Sequence, residues 1–160
     1  MSFCCNRCNG QRCRRLTILE DQCCGVCVTS TPSTCCSKVC CRVTYTVVVK
    51  NNCTSTMRNA FLHVPLDGVF CLDTSSVTVN GEAVSVDCLD AVPLCDIASE
   101  QEVTVVYTVT IMEYKRYIKS RVLVSFYTCC CCERRDLGVY SNVNCLQVCP
   151  CCCCCNGENN

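Results

Sequence analysis

The stretches VTYTVVV (residues 43–49) and VTVVYTVTI (residues 103–111) decide the fold. In the first, Val43, Tyr45, Val47 and Val49 fall on one face, with Thr44 and Thr46 on the other. In the second, Val103, Val105, Tyr107, Val109 and Ile111 repeat the pattern. Strict alternation of β-branched and aromatic residues with polar ones marks half-buried strands, because successive side chains of a strand point to opposite faces. Working outward, IKSRVLVSFY (118–127) sets Val122, Val124 and Phe126 against Lys119 and Arg121. AFLHVPL (60–66), VFCL (69–72) and VTVNGEAVSV (77–86) lie between. Asn80-Gly81 in the last predicts a two-residue hairpin turn, since both positions of a type I′ turn need positive φ. Six or seven short strands without a helical period predict an all-β protein, a single antiparallel sandwich over residues 43–128.

Composition bounds the rest. The chain has 160 residues, 14 basic and 14 acidic side chains, and 26 cysteines. The balanced charge gives no basic footprint for nucleic acid, and no apolar run approaches the roughly 20 residues of a membrane span. The opening MSFCCNRCNGQRCRR lacks the apolar core of a signal peptide. Cysteine at about 16 % exceeds the roughly 8–10 % that marks a disulfide scaffold. Residues 1–42 hold 11 cysteines, 43–128 hold 4 and 129–160 hold 11. The expected organisation is a cysteine-rich N-terminal arm (1–42), the sandwich (43–128) and a cysteine-rich C-terminal segment (129–160).

The stretches YTVVVKNNCTSTMRNAFLHVPLDGVF, SSVTVNGEAV and PLCDIASEQEVTVVYTVTI together resemble the bacterial "domain of unknown function eleven" repeat family. That family reads as a strand ending Thr-Asn-Thr-Gly, a Val-Thr-Asp-Pro-Leu-Pro segment, a Ser-Val-Thr-Val-Asn-Gly hairpin and an Ala-Pro-Gly turn before a long Val/Thr strand. The resemblance covers about residues 43–128 and implies an immunoglobulin-like sandwich of surface, envelope or spore proteins, with no catalytic residues. Cys53 and Cys95 stand where the family has glycine, and Ala98-Ser99-Glu100 replaces Ala-Pro-Gly.

The surplus of thiols points outward. Adjacent cysteines in extended backbone send their sulfurs to opposite sides, so a Cys-Cys pair suits two different neighbours better than each other. The candidates for links between chains are the pairs Cys4 and Cys5, Cys23 and Cys24, Cys35 and Cys36, and Cys40 and Cys41. To these are added Cys129, Cys130, Cys131 and Cys132, then Cys145 and Cys149, then Cys151, Cys152, Cys153, Cys154 and Cys155. Inside the sandwich, Cys53, Cys71, Cys88 and Cys95 allow three disulfide pairings or buried thiols. A seven-strand sandwich has an odd strand count, which places Cys40 and Cys41 at one end and Cys129 to Cys132 at the other. Complementary ends give a heterologous head-to-tail contact. The first arm, fully extended, reaches at most about 130–145 Å, far enough to bridge to neighbouring subunits.

The reading is a self-assembling structural subunit of a disulfide-cross-linked extracellular filament or spore-surface layer. Its partner is itself; other cysteine-rich surface proteins are a further candidate, and neither nucleic acid nor a membrane span is expected. Synthesis without a visible signal peptide, then oxidation on lysis of the mother cell around a spore, fits the need of disulfides for oxidising surroundings. The strongest rival is zinc: Cys5, Cys8, Cys24 and Cys27 satisfy Cys-x2-Cys-x15-Cys-x2-Cys. A metallothionein-like store built on the CPCCCCC tail is a broader version. Otherwise no cofactor is expected.

Enzyme readings lack a handle. His63 is the sole histidine and lies among strand residues. No glycine-rich phosphate loop exists, and nothing singles out one activated thiol. Arg12, Arg14 and Arg15 read as a solvated face, and Asn52-Cys53-Thr54 as an accidental sequon. Leu137 to Val148 reads as strand-like, suited to the edge of its own or a neighbouring sandwich.

Overall fold

The computed structural model describes residues 16–19 and 25–150. Among them are thirteen strands and no helix: β1 Thr17–Leu19, β2 Val26–Pro32, β3 Cys36–Lys38, β4 Arg42–Asn51, β5 Met57–His63, β6 Phe70–Val79 and β7 Glu82–Ala83, then β8 Val92–Ile97, β9 Glu102–Ile111, β10 Tyr117–Ser120, β11 Leu123–Cys130, β12 Glu133–Tyr140 and β13 Asn144–Cys149. Two five-stranded sheets, ordered β1-β12-β11-β5-β8 and β2-β4-β9-β6-β7, enclose the core, and a three-stranded sheet, β10-β13-β3, completes the fold.

The alternation seen in the sequence becomes the core. Strands β4 and β9 pair antiparallel with Val43 opposite Val109, Tyr45 opposite Tyr107, Val47 opposite Val105 and Val49 opposite Val103. All eight side chains are buried. The two tyrosine rings stack at 5.4 Å between centroids, an arrangement that adds to simple area burial. On the opposite face the hydroxyls of Thr44 and Thr108 hydrogen-bond at 2.9 Å. From the facing sheet, Leu62, Val92, Ile97, Val124 and Phe126 complete the interior. Asn80 and Gly81 turn the β6–β7 hairpin at φ 52° and 81°, and the Asn80 carboxamide oxygen accepts from Thr104 N–H at 2.9 Å.

Strands from outside the 43–128 span are hydrogen-bonded into the sheets. β2 pairs with β4 along its whole length, from Val26–Asn51 to Pro32–Tyr45. β12 pairs antiparallel with β11 and parallel with β1. β13 pairs antiparallel with β10 and parallel with β3. The 129–149 stretch and the segment from Val26 are therefore body rather than arm. Their cysteines sit on outward positions of strands whose other faces are apolar: in β13, Leu146 and Val148 are buried while Cys145 is exposed.

Register fixes the two ends. β4 begins at Arg42, and its last residue, Asn51, meets the start of β5 through hydrogen bonds from Asn51 Nδ2 to the carbonyls of Ser55 and Ile97. β5 returns, and β11 pairs with it from Leu123–His63 to Tyr127–Arg58. Cys129 to Cys132 thus lie at the end marked by Asn51, and Cys40 and Cys41 at the end marked by Arg42. These are termed the far and near ends. β10 lies at the near end between β9 and β11 without crossing the sandwich, so the odd number of passes between the clusters is kept although more strands are present.

Candidate cross-linking sites at the two ends of the sandwich

At the far end the β11–β12 hairpin closes with Cys130 opposite Glu133. Its two loop residues are Cys131 and Cys132, at φ 51° and 68°. This is a type I′ geometry, which ordinarily selects Asn-Gly because a β-carbon in the left-handed region crowds the backbone. Cys129 to Cys132 are all exposed, and the sulfurs of Cys130 and Cys131 lie 3.9 Å apart. Arg134, opposite Cys129, has its guanidinium 3.9 Å from the Tyr127 ring centroid and 3.0 Å from the Asp136 carboxylate. Its charge is thereby engaged within the hairpin.

At the near end the turn from β3 into β4 carries Cys40 at φ 70°. Its N–H donates to the Ile111 carbonyl at 2.8 Å, and Ile111 N–H donates to the Cys41 carbonyl at 3.0 Å. These bonds fix the backbone so that the thiol of Cys40 stays exposed. Cys35 and Cys36 are exposed beside it, and Cys41 is half-buried. The sulfurs of Cys36 and Cys149 approach to 3.3 Å. Cys145 is exposed on β13, opposite Lys119 of β10.

The four cysteines expected within the sandwich are spread over both large sheets. Cys71, on β6, pairs in register with Thr110, and Cys95, on β8, stands opposite Ala60. Cys88 is exposed ahead of β8. Cys53 follows β4 at the far end, its N–H donating to Asn51 Oδ1 at 3.0 Å and its carbonyl accepting from Ser99 Oγ. Cys95 adopts φ 62° and Glu100 φ 64°, so the backbone keeps a glycine-like conformation at two positions where the resembled repeat has glycine. Cys53 is not among the positive-φ residues.

Of the zinc-spaced set, Cys27 lies half-buried on β2, 4.0 Å from Asn52 Nδ2. Cys5, Cys8 and Cys24 lie outside the described residues, as do Cys4, Cys23 and Cys151 to Cys155. Among the described residues no three potential ligands converge. His63 Nδ1 is 2.5 Å from the Asp90 carbonyl and Nε2 is 2.7 Å from Ser125 Oγ. Both ring nitrogens are thus engaged, tying β5 to β11 and to the strand-β8 approach. Among the described residues no helix is long and apolar enough to cross a membrane.

The sequence offered no signal for the meeting of Cys36 with Cys149, because it depends on parallel pairing between segments far apart in the chain. Nor did the hairpin turn at Cys131-Cys132 leave one: nine residues, 128–136, separate the strand expected to end at Tyr127 from the strand-like run at Leu137, and none of them is asparagine or glycine.

Neither a family model nor a curated protein matches the sequence. Among solved structures, the chain is similar to the major pilin subunit BcpA of Bacillus cereus, with TM-score 0.55 and 9% identity, covering 78% of this chain and 40% of that one. It is also similar to AvmM, which catalyzes macrocyclization in alchivemycin A biosynthesis, with TM-score 0.54 and 6% identity, covering 82% of this chain and 90% of that one. At such identities the likeness is one of fold alone, and the fold is an immunoglobulin-like antiparallel β-sandwich.

Proposed function

We propose that the chain is a structural subunit of a bacterial surface assembly, joined head to tail to copies of itself and locked by disulfides. The observation that carries this is the identity of the residues at the strained turns. Cysteine occupies left-handed positions at both ends, Cys131 and Cys132 at the far end and Cys40 at the near end. Glycine or asparagine would fill such turns at lower cost, so the thiols stand there at a conformational cost. Strain held at a particular side chain argues for a function of that side chain.

Two further features support the reading. The near end also exposes Met112, Tyr114 and Tyr117, apolar surface that a second copy's far end would cover before oxidation. Exposed thiols at opposite ends give a heterologous contact, which grows an open filament unless the rotation closes a ring. The N-terminal segment of residues 1–15, with Cys4, Cys5, Cys8 and Cys13, supplies a tether to a neighbouring subunit. A spore surface is the compartment proposed, its thiols oxidised after lysis of the mother cell.

The test is electrophoresis of the air-oxidised full chain with and without strong reductant, with metal content measured on the same sample. The expected result is a ladder that collapses with reductant to the 17.7 kDa chain. Replacing Cys131 and Cys132 by serine shortens the ladder, as does replacing Cys35, Cys40 and Cys41. A monomer without reductant that carries stoichiometric zinc overturns the proposal and makes the N-terminal cysteines a metal site.

A further inference from the structure

We propose that Cys36 and Cys149 form an intrachain disulfide that ties β3 to β13, separate from any link between subunits. β3 and β13 run parallel with Cys36 opposite Gln147, Ser37 opposite Val148 and Lys38 opposite Cys149. Ser37 and Val148 are buried, so alternation puts Cys36 and Cys149 together on the outer face. Their sulfurs are 3.3 Å apart, against about 2.05 Å in a disulfide. Each is a terminal residue of its strand, Cys36 the first of β3 and Cys149 the last of β13. Because Cys149 lies diagonal to Cys36, two residues past Gln147, closing the remaining gap needs side-chain rotations and a movement of the two strand ends toward each other.

Among the described residues, two neighbouring thiols are the competitors. Cys35 sits in the bend ahead of β3 and stands outside its register with β13. Cys145 shares the outer face and is offset by two residues from Gln147, the register partner of Cys36, as Cys149 is, but it is the Cys149 sulfur that meets the Cys36 sulfur. The bond would close a long loop around the sandwich and fix the root of the polypeptide that continues past Pro150. The cysteines at 151–155 would then start from an anchored point at the near end.

The chemistry balances with a low-molecular-weight disulfide as oxidant. One thiolate attacks the oxidant and forms a mixed disulfide, releasing one small thiol. The second thiolate then attacks the protein sulfur of that mixed disulfide, releasing the second small thiol. The two cysteines give up two protons and two electrons, and the oxidant is reduced to two thiols.

In the test, the full-length protein is oxidised with oxidised glutathione at low protein concentration and free thiols are alkylated. The monomer band is then digested with trypsin without reductant. Cleavage after Arg15, Lys38 and Arg135 releases residues 16–38 and 136–160, and fragmentation of the linked pair assigns the bond. The proposal expects Cys36 joined to Cys149, with the bond lost in C36S and C149S and kept in C35S and C145S. Finding either cysteine bonded elsewhere in the monomer, or both alkylated after complete oxidation, overturns it. The wild-type map alone decides, so a variant that fails to fold does not obscure the answer. A monomer that holds this bond and never polymerises would sink the head-to-tail reading while leaving the staple. A ladder in which Cys36 bridges two chains would do the reverse.

Discussion

Cys131 and Cys132, at φ 51° and 68°, pay a conformational cost of about 1–2 kcal/mol each, because a β-carbon in the left-handed region approaches the following carbonyl. Replacing the pair by Asn-Gly relieves it. In reducing buffer, C131N/C132G should melt about 4–8 °C above the wild type, while losing cross-linking at the far end under oxidation. Asn51 shows the opposite balance. It is fully buried, donates to the Ser55 and Ile97 carbonyls and accepts from Cys53 N–H at 3.0 Å. Asn51→Ala strands these groups and should cost about 3 kcal/mol in urea unfolding under reductant. Asp67 contributes to the pH dependence, as does Asp73. The Lys115 ammonium and the Val69 N–H hold the Asp67 carboxyl below the usual range. A carboxylate whose pKa is depressed on folding stabilises the fold above its unfolded value, about 3.9, and loses that contribution as pH falls through the folded value. The stability difference between wild type and D67N should therefore shrink as pH is lowered from 7 to 2.5 in chemical denaturation. At this scale the sequence located the thiols but not their backbone angles, which follow from turn lengths set by distant pairing.

The strands differ in how much of themselves they wrote into the sequence. β4 and β9 were legible because both bury one face and leave the other to threonine. β2 carries the same alternation, with Val26, Val28 and Ser30 buried, but its cysteine and its place among ten others hid it in the expected arm. What ties it down is polar and long-range. Ser30 N–H donates to Asn142 Oδ1 at 2.9 Å, Asn142 Nδ2 donates to the Ser30 carbonyl at 3.1 Å, and Asn144 Nδ2 donates to Ser30 Oγ at 2.9 Å. No local period encodes such contacts, nor the parallel pairings β1–β12 and β3–β13. Leu137 to Val148 was legible as strand, and proves to be two strands of its own sandwich. The β1–β12 pairing rests on Gly138, where an added β-carbon would stand 3.0–3.2 Å from side-chain atoms of Leu16, Ile18 and Leu123. Gly138→Val should expel β1 from the sheet edge. The expected readouts are lost hydrogen-exchange protection at Thr17–Leu19 and destabilisation of about 1–3 kcal/mol.

For the whole molecule, the sandwich separates two thiol-bearing ends by the length of its strands. Cys35, Cys36, Cys40 and Cys41 sit at one, and Cys129 to Cys132 at the other. The fold class followed from the middle of the sequence, since short alternating strands leave few other architectures. The boundaries did not, because cysteine density reads as unfolded arm even where alternate positions are apolar. With 14 basic and 14 acidic residues, no net charge opposes close approach of copies, which suits an assembly that forms before it is locked. The most direct test of that account is the oxidised full chain on a denaturing gel, with and without reductant. The account predicts a ladder running to material too large to enter the gel, collapsing to one 17.7 kDa band with reductant and truncated when Cys131 and Cys132 are serine. A single monomeric band before reduction, in protein whose thiols are fully oxidised, would contradict it.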